Sequence, residues 1–495
     1  MKGIMVVGAT SGAGKSLMCA AICRILARRG WRVAPFKGQN MALNAYVTPN
    51  GGEIGYAQAV QAWAAKIVPR VEMNPILLKP QGNMTSQVII KGRAIGTTTA
   101  SKYYEQYFDT GWSAISQSLS RLSVEFDLVV CEGAGSPAEI NLKHRDLTNM
   151  RVAKHLKAPT LLVVDIDRGG AFAHVVGTLE LLEPDEKELI KGVIINKFRG
   201  DKSLLDPGIE WLEERTNIPV VGVIPWIDRI FPAEDSLDLL ERNSRKPNRE
   251  LRIVVIRIPR ISNFTDFDPL EAEPTVSVEY ADLQDNLGHP DAVILPGSKT
   301  SISDLIALEK SGMAQKLQDY AAAGGTIIGI CGGFQMLGQR LCDPEGLEGD
   351  EGYYPGLNLL PLNTILTAKK ITRQRQVTSL YPQVGLPVFG YEIHQGRTLI
   401  IKSQNSPTQL TCNPIFDDPN LGVVNDSRSI WGCYLHGLFD NGPWRRTWLN
   451  QLRHQRGLSS LPTGVPDYRQ QRESMLDSIA DLVEAHLDLK PVLPQ

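Results

Sequence analysis

Short apolar runs alternate with stretches of helical spacing through the first half of the chain. The runs are Gly3–Val7, Arg32–Phe36, Leu128–Cys131, Thr160–Asp165, Gly192–Asn196 and Val220–Ile224. Helical stretches such as Ser16–Arg29 and Ile54–Ala65 fall between them. Runs that are apolar at nearly every position, not every second one, predict strands buried on both faces. Alternation with helices then predicts an α/β fold, a doubly wound and mostly parallel sheet.

The pattern breaks at a polar stretch ending Arg-Asn-Ser-Arg-Lys-Pro-Asn-Arg-Glu250, and a second α/β pattern begins at Leu251-Arg-Ile-Val-Val-Ile. It continues through Ala292–Gly297 and Thr326–Ile330 to Trp431–His436, and a polar, helical stretch follows. These shifts predict a first domain over 1–235, a linker over 236–250, a second α/β domain over 251–445 and a helical extension over 446–495. A chain of 495 residues is too long for one core, which agrees with that division.

Lys and Arg total 52 against 54 Asp and Glu, a net charge of −2, so no bulk field draws the protein to nucleic acid or an anionic membrane. No apolar run approaches the ~20 residues that span a bilayer. The amino-terminal apolar run ends at once in a glycine loop and reads as a first strand, so a cytoplasmic protein is expected. The seven cysteines (19, 23, 131, 331, 342, 412 and 433) are odd in number and scattered, with no Cys-x-x-Cys pair. That argues against a disulfide framework and a structural zinc site.

The first strand runs into Gly8-Ala9-Thr10-Ser11-Gly12-Ala13-Gly14-Lys15-Ser16. Here backbone N–H groups at a helix start form an anion nest, and glycines admit the phosphates. Thr10 to Ser16 would therefore bind ATP, Lys15 bridging the β- and γ-phosphates and Ser16 ligating Mg²⁺. Ala9 stands where the pattern usually has its first glycine. Glu132, at a strand end before a glycine turn, is the expected second oxygen for the metal, with Glu53 a weaker candidate. Asn196, at the end of a later strand, could read a nucleotide base or simply cap a helix. Partitioning ATPases carry a second lysine where this chain has Thr10, which favours a metabolic enzyme over a dimerising switch.

Farther along, Ile327-Ile-Gly-Ile-Cys331-Gly332-Gly333 predicts a strand that turns sharply at a cysteine into a helix. Such an elbow exposes the sulfur and favours the thiolate. The Gly332 N–H and the Pro296-Gly297-Ser298 turn would form an oxyanion hole. A cysteine nucleophile needs a base, and His436, after an apolar strand and before Gly437, is the candidate.

The elbow, the Pro-Gly-Ser turn and the late histidine resemble class I glutamine amidotransferase domains. That resemblance implies a glutamyl thioester on Cys331 and release of ammonia from glutamine. The class has Pro-Glu after the histidine, the Glu orienting it. This chain has Gly437-Leu438, so the third triad member is missing there; Glu392 and His394 are candidates to assist, with a structural role the favoured alternative.

An amino-terminal P-loop half similar to dethiobiotin synthetase, fused to such a domain, resembles the cobalamin-pathway amidases. Four segments look specifically like the cobyric acid synthases: Ala34–Asn44, Gly51–Ala59, Glu132–Leu142 and Asp165–Gly170. The resemblance spans the chain. It implies ATP- and glutamine-dependent amidation of the b, d, e and g carboxylates of adenosylcobyrinic acid a,c-diamide through acyl phosphates. Lys37, Gln39, Asn40 and Asn44 are then expected to contact this corrinoid, flanked by Gln58, Lys79 and Arg168, with solvated loop residues as the plain alternative. The a,c-diamide synthase acting one step earlier is disfavoured by Phe36–Asn44. A P-loop regulatory ATPase with an inactive amidotransferase domain is disfavoured by Thr10 and by the intact Cys331 and His436. A cysteine hydrolase with a nucleotide-binding regulatory domain is the remaining alternative, separable by the glutamine dependence of ATP turnover.

Overall fold

A computed structural model describes residues 2–82, 84–227, 249–401 and 411–493. The chain forms two compact units. One comprises Met1–Ala42, Gly52–Glu234 and Arg472–Gln495, the other Leu43–Gly51 and Asp235–Gln471.

The first unit is built on a parallel six-stranded sheet ordered Val220–Pro225, Ile190–Phe198, Thr160–Asp165, Gly3–Gly8, Leu128–Glu132 and Val33–Phe36. Every apolar run of the first half becomes one of these strands, because helices cover both faces. The Gly3–Gly8 strand is central, so its carboxyl end opens the glycine loop between neighbouring strand ends, where ligands bind in such sheets. A four-stranded sheet of Gln39–Met41, Ile76–Gly82, Thr85–Ile90 and Arg93–Thr99 is added, followed by a helix over Ala100–Glu125. Its outer strand is largely exposed and polar. Without a continuous apolar run it carries no buried-strand signature.

The second unit has a seven-stranded sheet ordered Val276–Ala281, Leu251–Ile256, Ala292–Leu295, Ile327–Ile330, Ile430–Cys433, Gly422–Asn425 and Cys412–Pro414. The first five strands are parallel and the last two antiparallel. A long hairpin of Leu362–Thr378 and Pro387–Ile400 forms the middle of a further sheet, with Leu435–His436 at its edge.

Two segments depart from a linear division. The expected extension over 446–495 is split: the helix Gly442–Gln455 lies in the second unit, and Arg472–Gln495 joins the first. The physical reason is an acidic stripe on the helix Tyr468–Glu484. Glu473 and Asp477 pair with the fully buried Arg24, Asp481 with Arg28 and Glu484 with Arg29, all on the helix that follows the glycine loop or its end. Leu43–Gly51, embedded in sequence within the first domain, belongs to the second unit. Most of the expected linker lies outside the described residues.

Candidate active sites

The glycine loop owes its shape to two residues with positive φ, Gly12 at 71° and Gly14 at 99°. A side chain at residue 14 would also meet Asn196, whose Nδ2 donates to the Ala13 carbonyl at 2.8 Å. Asn196 thus braces the loop from the strand Ile190–Phe198, two places along the sheet from Gly3–Gly8. Thr10, Ser11, Gly12, Ala13 and Gly14 form the turn, and Lys15 Nζ curls back to 3.3 Å from the Thr10 carbonyl.

Glu132 is the hub of this centre. Its Oε1 accepts from Ser16 Oγ and Lys37 Nζ, each at 2.8 Å, and its Oε2 from Gln61 Nε2 at 2.5 Å. Gln58 Nε2 lies 3.5 Å from the same oxygen and its Oε1 accepts from Asn40. Glu132, Lys37, Gln58, Gln61 and Asn40 are all buried. Two hard oxygens, Ser16 Oγ and Glu132, adjoin the phosphate loop, a donor set that fits Mg²⁺. That ion keeps several waters and takes one or two protein oxygens besides substrate phosphates. Glu53, the weaker candidate for that ion, instead forms a buried ion pair with Lys79 at 2.9 Å.

In the second unit, Cys331 ends the strand Ile327–Ile330 with φ 52° and ψ −107°, a strained backbone for a residue with a side chain. The turn tolerates no larger neighbours. A Cβ at residue 333 would lie 2.1 Å from the Leu295 carbonyl oxygen, and one at residue 332 would lie 2.8 Å from Ser298 N. The elbow therefore packs directly on the Pro-Gly-Ser turn. Gly297, Gly332 and the histidine meet there, since a Cβ at residue 297 would be 3.4 Å from His436 Cε1.

His436 is almost fully buried, and its Nδ1 sits 2.7 Å from Asp266 Oδ2. The other Asp266 oxygen accepts from the Gly437 N–H at 2.8 Å. Burial opposes the imidazolium. The Asp266 carboxylate outweighs it, Cys331 adds to the effect, and the His436 pKa is lifted to about 10. The ring lies 5.5 Å from the Tyr391 ring, stacked at 24°.

Family comparison meets this geometry on both halves. Residues 4–239 match the CobQ/CobB/MinD/ParA nucleotide binding domain, and residues 252–444 match the CobB/CobQ-like glutamine amidotransferase domain. A cobyric acid synthase of Nostoc sp. (strain PCC 7120 / SAG 25.82 / UTEX 2576) is 72% identical over 100% of both chains. One from Synechococcus elongatus is 65% identical over 100% of this chain and 99% of that one. The chain belongs to the cobyric acid synthase family.

In this cobyric acid synthase family member the carboxylate bonded to His436 comes from an unexpected place. Asp266 lies on the turn Phe264–Phe267, after the first strand of the second unit, and sequence reasoning passed over it. The available signal was an acid between two buried aromatics beyond a strand end. Glu392 and His394 pair with each other at 3.2 Å, and Glu392 also binds Arg373 and Arg375. Their hydrogen bonds therefore go elsewhere than to His436.

The residues expected to contact the corrinoid are divided. Lys37 and Asn40 surround Glu132, and Gln39 accepts from Tyr103 Oη at 2.7 Å. Asn44 sits in the second unit, where its Oδ1 accepts from the Phe264 N–H at 3.0 Å at the start of the Asp266 turn. There it supports the triad turn. Next to it Asn263 Nδ2 donates to the Ala45 carbonyl at 2.9 Å and to Tyr391 Oη at 3.0 Å.

Proposed function

We propose that the protein makes corrinoid side-chain amides, converting the b, d, e and g carboxylates of adenosylcobyrinic acid a,c-diamide with ATP and glutamine. The observation that carries this is full-length identity of 72% to a cobyric acid synthase.

In the second unit, Cys331 Sγ attacks the glutamine side-chain carbonyl. The developing oxyanion faces the Gly332 N–H and the Gly297–Ser298 turn, and His436 hands its proton to the departing ammonia. Asp266 holds the ring and stabilises its charge, as the third triad member does elsewhere. Water then hydrolyses the thioester to glutamate.

In the first unit, a carboxylate oxygen attacks the γ-phosphorus and ADP leaves, giving an acyl phosphate. Ammonia displaces phosphate from that carbonyl and loses a proton. Such transfers depend on positioning and charge neutralisation more than on covalent help from the protein. The residues that would hold Mg²⁺ are Ser16 and Glu132; when bound it neutralises charge building on the phosphates. Lys15 does the same from the loop, and Asn196 keeps the loop's shape. A small-molecule substrate and a net charge of −2 support a cytoplasmic enzyme; among the described residues no helix is long and apolar enough to cross a membrane.

The test is amidation followed by product mass, with and without glutamine. A ladder of products, each replacing one carboxyl hydroxyl by an amino group, supports the reading. ATP turnover with the corrinoid unchanged would send the search to another polycarboxylate.

A further inference from the structure

A cavity of about 420 Å³ lies beside the Glu132 centre in the first unit. One wall is the loop over residues 134–139, which leaves the strand ending at Glu132; another is Gln39, two residues beyond the Lys37 that binds Glu132. A neighbouring lobe of about 390 Å³ shares Met41, Tyr104, Leu142 and Arg145 with it. No glycine-loop residue lines either lobe, so the shape suits a second substrate that meets the nucleotide at Glu132.

The chemistry of the wall is mixed in an informative way. Met41 and Leu142 are 59% and 41% exposed, side by side in one cleft, an apolar patch that marks a binding surface when rimmed by polar groups. At the rim, the half-buried Arg145 lies 5.2 Å from the Tyr104 ring centroid and has no ion pair or hydrogen bond among the described residues. A guanidinium already stacked and lacking a carboxylate is poised to take one in a bidentate contact. Deeper in, Asn149 is 7% exposed. Its Nδ2 donates to the Ala134 carbonyl at 2.7 Å, while its Oδ1 is buried without a hydrogen-bond partner. Such an orphan acceptor calls for a donor from a ligand.

We infer that this cleft is the corrinoid site. The apolar face of the macrocycle lies on Met41, Tyr104 and Leu142, a rim carboxylate pairs with Arg145, and an amide N–H of the diamide meets Asn149 Oδ1. The carboxylate to be activated then points along the 134–139 loop towards Glu132. The inference rests on the amidation reading. Of the four residues expected from sequence to contact the corrinoid, Gln39 alone lines the cleft.

The test compares the full-length wild type with Arg145→Gln and Met41→Asp. Both side chains reach solvent, and circular dichroism checks that each variant stays folded. Corrinoid binding is measured by equilibrium dialysis, read by visible absorption, alongside amidation kinetics. The Kd and KM for adenosylcobyrinic acid a,c-diamide should rise roughly ten- to hundredfold in each variant, the loss of one charge-assisted contact or of apolar cover. The KM for ATP should change less than about twofold, and Arg145→Lys should recover part of the loss. Unchanged corrinoid Kd in both variants, or a rise in KM for ATP instead, would overturn the site. A wild type that turns over ATP but neither binds nor amidates the corrinoid would defeat the amidation reading itself, whatever the variants do.

Discussion

His436 Nδ1 and Asp266 Oδ2 lie 2.7 Å apart although 170 residues separate them in the chain. In the proposed triad this pair takes the place of the glutamate that the resemblance to class I amidotransferases leads one to expect just after the histidine. Asp266→Asn keeps the shape but removes the charge. Glutamine-dependent amidation should fall by roughly 10²- to 10⁴-fold, the usual worth of a positioned acid–base pair, while ammonium-supported amidation persists. Equal loss of both activities would remove Asp266 from the triad.

The same pair gives stability a pH signature. The folded His436 pKa, about 10, stands above the unfolded value of roughly 6.5. Its contribution is therefore fully present below about pH 6.5 and is lost as the pH rises through about 10. Urea denaturation should show Asp266→Asn most destabilised, relative to wild type, near pH 6 and least near pH 10. A gap independent of pH would mean that the pair is not an ion pair in the folded state.

Cys331→Ser should abolish glutamine-supported amidation and leave the reaction with added ammonium. Lys15→Ala should abolish both, because it removes a charge that stabilises phosphoryl transfer. Product mass in the two nitrogen-source conditions checks this directly; loss of the ammonium reaction in the cysteine variant would contradict the division of labour.

At the other centre, Glu132→Ala would remove the carboxylate that pairs with the buried Lys37 at 2.8 Å. Removing one partner of such a pair typically costs about 3 to 5 kcal/mol. Lys37→Met with Glu132→Gln should recover much of the lost stability but none of the ATP-dependent amidation. Thermal denaturation and activity on the same samples separate the two roles, and a double variant that regained activity would exclude Glu132 from the metal site.

Arg24→Ala should loosen the helix Tyr468–Glu484 from the first unit. Because Glu473 and Asp477 are half exposed and can be rehydrated, the expected cost is only about 1 to 3 kcal/mol. Faster proteolysis within residues 472–493 than in the wild type is the readout; an unchanged digestion rate would assign the docking to other contacts.

Much of this molecule was legible before any coordinates. Strands buried on both faces leave unbroken apolar runs, so every strand of the six-stranded sheet was visible, from Gly3–Gly8 to Val220–Pro225. The glycine loop and the cysteine elbow were visible too, because their chemistry demands contiguous residues. That Glu132 would lie beside the glycine loop could be foreseen because strand ends gather at one edge of a parallel sheet. The polar hairpin strands Leu362–Thr378 and Pro387–Ile400 were less visible, since many of their positions face water and lack that signature.

The sequence by itself determined the local devices, namely the glycine loop around Lys15 and the strained turn at Cys331, and it singled out His436 as the candidate base. Tertiary structure alone decided their partners. Asp266 reaches His436, Asn44 leaves its own stretch of chain to hold the Asp266 turn, and Glu473 closes on Arg24. The physical reason is that a loop or an elbow is a property of neighbouring backbone angles. A hydrogen bond between residues 170 or 449 positions apart exists only after strand order and packing have brought them together.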